Sequence, residues 1–241
     1  MRTVIAAAMT VALLAQLPSE TAGWDNVVAS LLSVFDRADV LALGEAHGRK
    51  VDAELRLRLV RHPQFVNRVQ SIVVEDPQSD YGGLLDAVRE VNLTSQSRKL
   101  QVIANETTGR GQNRDAFAID VIRDRVSNGG KVLVVYGSGH LWHREGGITS
   151  ALDRLMPGRT FVAEVFAPVG RPPSGREAQE FDESLKALED TVSAHERPVL
   201  ISLRGTRAAT LLANPFYLGQ AMLDPSTTLG DLDDAGVYFG R

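Results

Sequence analysis

The chain has 241 residues, of which 44% are hydrophobic and 23% are charged, and its formal net charge is −4. This length supports one substantial domain with its own core, and the composition is typical of a globular protein in water. The lack of a basic tract argues against nucleic acid as a partner. Because the chain has no cysteine, it can form neither a disulfide nor a lipidated cysteine anchor.

The first 23 residues are typical of an export signal. A weakly positive start precedes an apolar run from Val4 to Leu17, and small residues follow at 21–23. The apolar run is shorter than a membrane span requires. We therefore predict a removable signal over 1–23, one domain over 24–241 without a membrane span, and a periplasmic or secreted protein. A buried first helix is the alternative.

Strand and helix patterns alternate through the rest of the chain. On the first predicted helix, Leu55 and Leu59 mark the buried face and the arginines mark the solvent face. The alternation predicts an α/β fold, a mainly parallel β-sheet with helices on both faces, and a ligand site at the C-terminal edge of its strands. The predicted strands are 38–44, 69–74, 100–104, 131–136, 160–166, 198–203 and 235–239, and the predicted helices are 51–61, 81–91, 113–126, 148–156 and 176–193.

Polar side chains recur where these strands end. Capping of the next helix explains one such residue, but not a carboxylate or an imidazole at four strand ends. We predict that these side chains share one edge of the sheet and form one site. They are Glu45 and His47 after the first strand, Glu75 after the second, Glu106 after the third, His140 and His143 after the fourth, and Arg204 after the sixth.

Five short motifs follow one another along the chain. They are Leu43-Gly44-Glu45-Ala46-His47-Gly48, Ile72-Val73-Val74-Glu75, Asn113-Arg114-Asp115, Tyr136-Gly137-Ser138-Gly139-His140 and Asp234-Ala235-Gly236-Val237-Tyr238. In this order they resemble the erythromycin esterase-like and ChaN-like superfamily, which also includes TraB/TIKI-type metalloproteases. The similarity extends over about Val40 to Gly240, and the chain looks like a short exported member. It lacks the long helical insertions of the macrolide esterases and the lipidated cysteine of the haem-binding lipoproteins.

The esterase branch implies a hydrolase of ester or amide bonds. By this resemblance, His47 takes a proton from water while Glu45 or Glu75 orients its ring. His140 and His143 would then bind or polarise the carbonyl group. Arg114 is expected to pair with Glu75 or Glu106. The residues expected to bind the substrate are Arg114, Trp142, Glu106 and Arg204.

Two other interpretations use the same site. In the first, Glu45, His47, Glu75 and His140 hold a divalent metal, Zn or Mn, which activates water. In the second, a ChaN-like protein binds haem or another flat small-molecule ligand without catalysis, with a histidine near the iron and Trp142 stacked on the ring. A buried ion-pair cluster without activity is the alternative to all three.

Overall fold

The structure is a computed structural model that describes residues 20–76, 83–96, 98–104, 114–166, 175–217 and 223–240. Glu106 and Asn113, the first residue of the third sequence motif, lie outside these residues. Within them, eight strands form one sheet: β1 (Glu20–Ala22), β2 (Val40–Glu45), β3 (Ser71–Val74), β4 (Gln101–Ala104), β5 (Val132–Gly137), β6 (Thr160–Phe166), β7 (Val199–Ser202) and β8 (Ala235–Tyr238).

The five predicted helices connect the strands in the predicted order, whereas α1 and several short helices are additional. The longer helices are α1 (Trp24–Ser33), α2 (Lys50–Arg61), α4 (Leu84–Thr94), α5 (Arg114–Ser127), α7 (Ile148–Leu155) and α8 (Arg176–Glu189). The short ones are α3 (Phe65–Arg68), α6 (Ser138–Leu141) and α9 (Leu229–Leu232). No helix among the described residues combines the length and the apolar character that a membrane crossing needs.

The spatial order of the strands is β1-β7-β8-β6-β2-β5-β3-β4. The six strands from β8 to β4 are parallel to their neighbours, whereas β7 pairs antiparallel with both β8 and β1. The predicted α/β fold with a mainly parallel sheet is therefore confirmed.

Helices cover both faces of the sheet, as predicted. On β2, Leu41 and Leu43 pack with α1, α2 and α4 on one face. Val40 and Ala42, which point the other way because side chains alternate along a strand, pack with α5 and α7. The central strands are thus buried on both sides, which explains why they read as continuous apolar runs.

Strand β1 lies inside the segment that the sequence assigns to an export signal. Its residues pair with β7 from Glu20↔Ile201 to Ala22↔Val199. The Glu20 carboxylate also accepts hydrogen bonds from the backbone of Ser193 and Ala194, at 2.9 Å each. A mature chain that began at Trp24 would therefore lack one strand of the sheet.

Candidate functional site

The order of the strands brings three polar strand ends together. β5 lies between β2 and β3, so the carboxyl ends of these three strands are neighbours. The chain leaves β2 into α2 on one face of the sheet and leaves β5 toward α7 on the other face. Where the connections from two adjacent strands go to opposite faces of the sheet, a crevice opens between them, and α/β proteins bind ligands in such crevices.

A tight turn after β2 presents His47 to this crevice. The Arg49 amide donates a hydrogen bond to the Ala46 carbonyl oxygen at 3.0 Å, and Gly48 adopts a φ of 78°, which favours glycine. Asp52, at the start of α2, accepts a hydrogen bond from the Ala46 amide at 2.9 Å. The turn is therefore fixed, while the His47 side chain remains 63% exposed.

The Glu45 carboxylate fixes the orientation of the His47 ring. Its Oε1 lies 3.0 Å from His47 Nδ1, and its Oε2 accepts a hydrogen bond from Arg56. Burial raises the pKa of Glu45 above its ordinary value, against the opposing effects of Arg56 and His47. With Nδ1 bound to Glu45, the Nε2 atom of His47 is the one that points away from this carboxylate.

Glu75 stands at the centre of the site. It follows β3, is 6% exposed, and its Oε2 accepts a hydrogen bond from the Gly137 amide at 3.0 Å. Its Oε1 lies 3.2 Å from an Arg114 nitrogen, so this predicted ion pair is present. The Nε2 atoms of His47 and His140 lie 3.6 Å and 3.8 Å from the two Glu75 oxygens, which is too far for hydrogen bonds.

His140 is held in the same way as His47, by a carboxylate on Nδ1. Asp115, in the first turn of α5, places Oδ1 2.9 Å from His140 Nδ1. This hydrogen bond raises the pKa of His140 above its ordinary value of 6.5, helped by the charges of Asp115 and Glu75 and opposed by burial and by Arg114. The site thus contains two imidazoles, each fixed by a carboxylate, with both Nε2 atoms near Glu75.

Sequence reasoning missed two of these supporting residues. Asp115 is adjacent to Arg114 in a motif that the sequence analysis identified, but it was not assigned to the site. Arg56 was placed on the solvent face of its helix, which is wrong, since it is 3% exposed. Asp52 and Arg56 are four residues apart, on the same helical stripe as Leu55 and Leu59, and this spacing was the available signal.

His143 and Trp142 are not brought to this group. Both ring nitrogens of His143 are engaged elsewhere, Nδ1 by Asp153 at 2.7 Å and Nε2 by Asp234 at 3.2 Å. Trp142 is 1% exposed and packs edge-on against Tyr217. The short helix α6 turns the chain into the protein after His140. His143 therefore does not reach a carbonyl group beside His47, and Trp142 does not stack on a flat ligand, so both predicted positions are wrong.

Arg204 lies toward the opposite edge of the sheet, and the predicted position is wrong. It follows β7, whose carboxyl end points the other way because β7 runs antiparallel to β8. There its Nε donates to Asp234 Oδ1 at 2.6 Å, beside a surface cavity of about 420 Å³. Arg204 therefore belongs with His143 and Asp234 rather than with His47.

The contacts of His143 predict a stability that depends on pH. Burial lowers the pKa of His143, but the hydrogen bonds and charges of Asp234 and Asp153 outweigh it and raise the pKa above 6.5. The resulting stabilisation is complete below about pH 6.5 and is lost as the pH rises through the pKa of the folded protein. His143→Gln is expected to cost about 2 kcal/mol at pH 6 and less at pH 9, as measured by urea unfolding.

The carboxylate of Asp234, which pairs with His143, limits this stabilisation at low pH. Burial would raise the pKa of Asp234, but His143 and Arg204 outweigh it and hold the pKa below its usual value of 3.8. This contribution is present above about pH 4 and is lost as the pH falls further. An equal cost of His143→Gln at pH 6 and pH 9 would contradict a charged His143 in the folded protein.

A further buried carboxyl group, that of Glu164, lies next to the site. Glu164 on β6 is fully buried, and burial raises its pKa to about 8, so it is protonated at neutral pH. The Ser138 hydroxyl donates to its Oε2 at 2.7 Å. A Cβ on Gly44 would stand 1.8 Å from Glu164 Oε1, which explains why this position before Glu45 has no side chain.

The four predicted metal ligands do not fit a metal site as the structure arranges them. Both oxygens of Glu45 are engaged, by His47 and by Arg56. Among the described residues, no three His, Asp or Glu side chains are grouped as ligands of one ion. We therefore derive no chemical step through a metal.

Comparisons with known proteins bear on the fold. No family model matches the chain, and no curated protein matches it. A crystal structure of a Bacillus cereus protein is similar over 94% of each chain, with 12% identity and a TM-score of 0.57. FtsY from Mycoplasma mycoides, also 12% identical, aligns with 59% of this chain and has a TM-score of 0.35; the chain spans only 52% of its length. The Bacillus cereus likeness supports the overall α/β fold described above.

Proposed function

We propose that the protein is a hydrolase of ester or amide bonds in which His47 activates water. One observation carries the proposal: two imidazoles, each fixed by a carboxylate on Nδ1, place their Nε2 atoms within 3.6 Å and 3.8 Å of one buried glutamate. An imidazole can accept and release a proton near neutral pH, and a carboxylate on Nδ1 fixes the tautomer and the orientation of the ring. These are the properties of a general base.

His47 is suited to the base because it is open to solvent. With Glu45 bound to Nδ1, the Nε2 lone pair of the neutral ring accepts a proton from a water molecule that attacks the carbonyl carbon. The negative charge of Glu45 then stabilises the imidazolium that forms. Arg56 keeps this buried carboxylate in place throughout the reaction.

His140 is suited to donate a proton on the other side of the bond. The hydrogen bond with Asp115 raises the pKa of His140, which widens the pH range in which the ring is protonated. Nε2–H of His140 can donate first to the carbonyl oxygen and then to the leaving oxygen or nitrogen as the bond to carbon breaks. His140 then regains a proton and His47 loses one, either directly from His47 to His140 or by exchange of both rings with solvent, before the next turnover.

We also propose membership of the erythromycin esterase-like and ChaN-like superfamily. The similar Bacillus cereus structure supports the fold, and the residues quoted for the resemblance include Glu45, His47, Glu75 and His140, which lie together. Haem binding has less support, since Trp142 is buried and both nitrogens of His143 are engaged. His140 remains available to a ligand, because its side chain is 40% exposed.

Turnover of a panel of acetyl esters and amides tests the function. The purified protein is expected to hydrolyse at least one class several orders of magnitude faster than buffer does, and to do so equally after dialysis against EDTA. Loss of turnover with EDTA and recovery with Zn or Mn would replace the metal-free mechanism by metal-dependent hydrolysis. No turnover on any member, together with a Soret band after haem is added, would favour the binding protein.

A further inference from the structure

Gly137 lies between the two histidines of the site. It ends β5, and its amide donates to Glu75 Oε2 at 3.0 Å. A Cβ built on Gly137 would stand 3.4 Å from Glu75 Oε2, 3.6 Å from His47 Nε2 and 3.7 Å from His140 Cδ2. The three side chains thus surround a space that is about one carbon atom wide at the depth of the Gly137 backbone.

The backbone does not require glycine at this position. Gly137 has φ −54° and ψ 135°, a conformation that any residue adopts. Packing does not require glycine either, since the three distances are ordinary van der Waals contacts. Gly44, one strand away, is different: its Cβ would overlap Glu164 at 1.8 Å. The missing side chain of Gly137 therefore leaves open a space that a methyl group would fill.

We propose that Gly137 is a specificity-determining residue, whose missing side chain leaves room for the reacting carbonyl group between His47 and His140. The inference rests on the proposed hydrolysis and names the position of its substrate. A group in this space contacts His47 Nε2 on one side and the His140 ring on the other. Glu75, held by Arg114 and by the Gly137 amide, forms its third wall.

The test adds one methyl group to this space. Gly137→Ala is expected to melt within a few degrees of the natural protein and to lose at least 100-fold in kcat/KM for an acetyl ester. The control Ser127→Thr adds one methyl at an exposed position on α5 and should change neither quantity. Full activity in Gly137→Ala would overturn the inference.

A binding measurement separates this inference from the proposed reaction. Acetamide is expected to shift the ring proton NMR signals of His47 and His140 in the natural protein, but not in Gly137→Ala. If the natural protein shows these shifts without any turnover, the hydrolase proposal fails and the binding position stands. If acetamide leaves both rings of the natural protein unchanged, the inference fails. This comparison needs only the natural protein, so it holds even if Gly137→Ala does not fold.

Discussion

Replacing His47 by glutamine is expected to lower kcat/KM for an acetyl ester by about 10²–10⁴-fold, the usual contribution of a general base. Glutamine can still donate a hydrogen bond to Glu45, so the buried carboxylate keeps a partner. It has no group that takes a proton near neutral pH. Because the His47 side chain is 63% exposed, little packing is lost, and the melting temperature should hardly change.

His195→Gln is the matched control for this change. His195 is exposed and lies beyond α8, far along the chain from the strands that form the site. Its replacement should leave both turnover and melting unchanged. If His47→Gln and His195→Gln keep the same kcat/KM, water is activated by another group, and Glu75 is then the next candidate. The kcat/KM of both variants is measured at steady state between pH 5 and pH 9, so that the comparison does not depend on a single pH.

The alternation of strands and helices predicted much of the fold. All seven strands expected from the sequence are present, because each is an apolar run bounded by turns. The direction of β7 was not predictable from its residues, since parallel and antiparallel strands of this length share one pattern. Arg204 was therefore assigned to the wrong edge.

The sequence predicted the site correctly only for residues that directly follow a parallel strand. Glu45, His47, Glu75 and His140 lie together because β5 is inserted between β2 and β3, an order that no residue pattern records. Trp142 and His143 follow α6, a single helical turn of four residues. Such a turn has no periodicity that could reveal that it directs the chain into the core. Glu106 lies outside the described residues.

Replacing Arg56 by methionine is expected to destabilise the protein by about 3–5 kcal/mol, because it leaves Glu45 buried without its cation. Glu45 is 4% exposed and Arg56 is 3% exposed, so water cannot take the place of the lost partner. Methionine fills much of the volume of the arginine stem, so the cost arises chiefly from the isolated charge. Urea unfolding at pH 7 measures it.

Arg61→Met is the control on the same helix. Arg61 pairs with Glu90 at 3.0 Å, but both side chains are about half exposed. Exposed pairs contribute at most about 1 kcal/mol, so this variant should remain close to the natural protein. Equal costs for Arg56→Met and Arg61→Met would mean that the buried pair makes no special contribution to stability.

A second substitution separates charge from packing. In Arg56→Met, burial raises the pKa of Glu45 without opposition from Arg56, so the variant should recover stability as the pH falls toward the ordinary Glu value of 4.5. Adding Glu45→Gln should recover part of the loss at pH 7, because it removes the charge and keeps the shape. If it does not, lost packing explains the cost. If it does, Arg56 is what allows an ionised Glu45 to orient His47 from inside the protein.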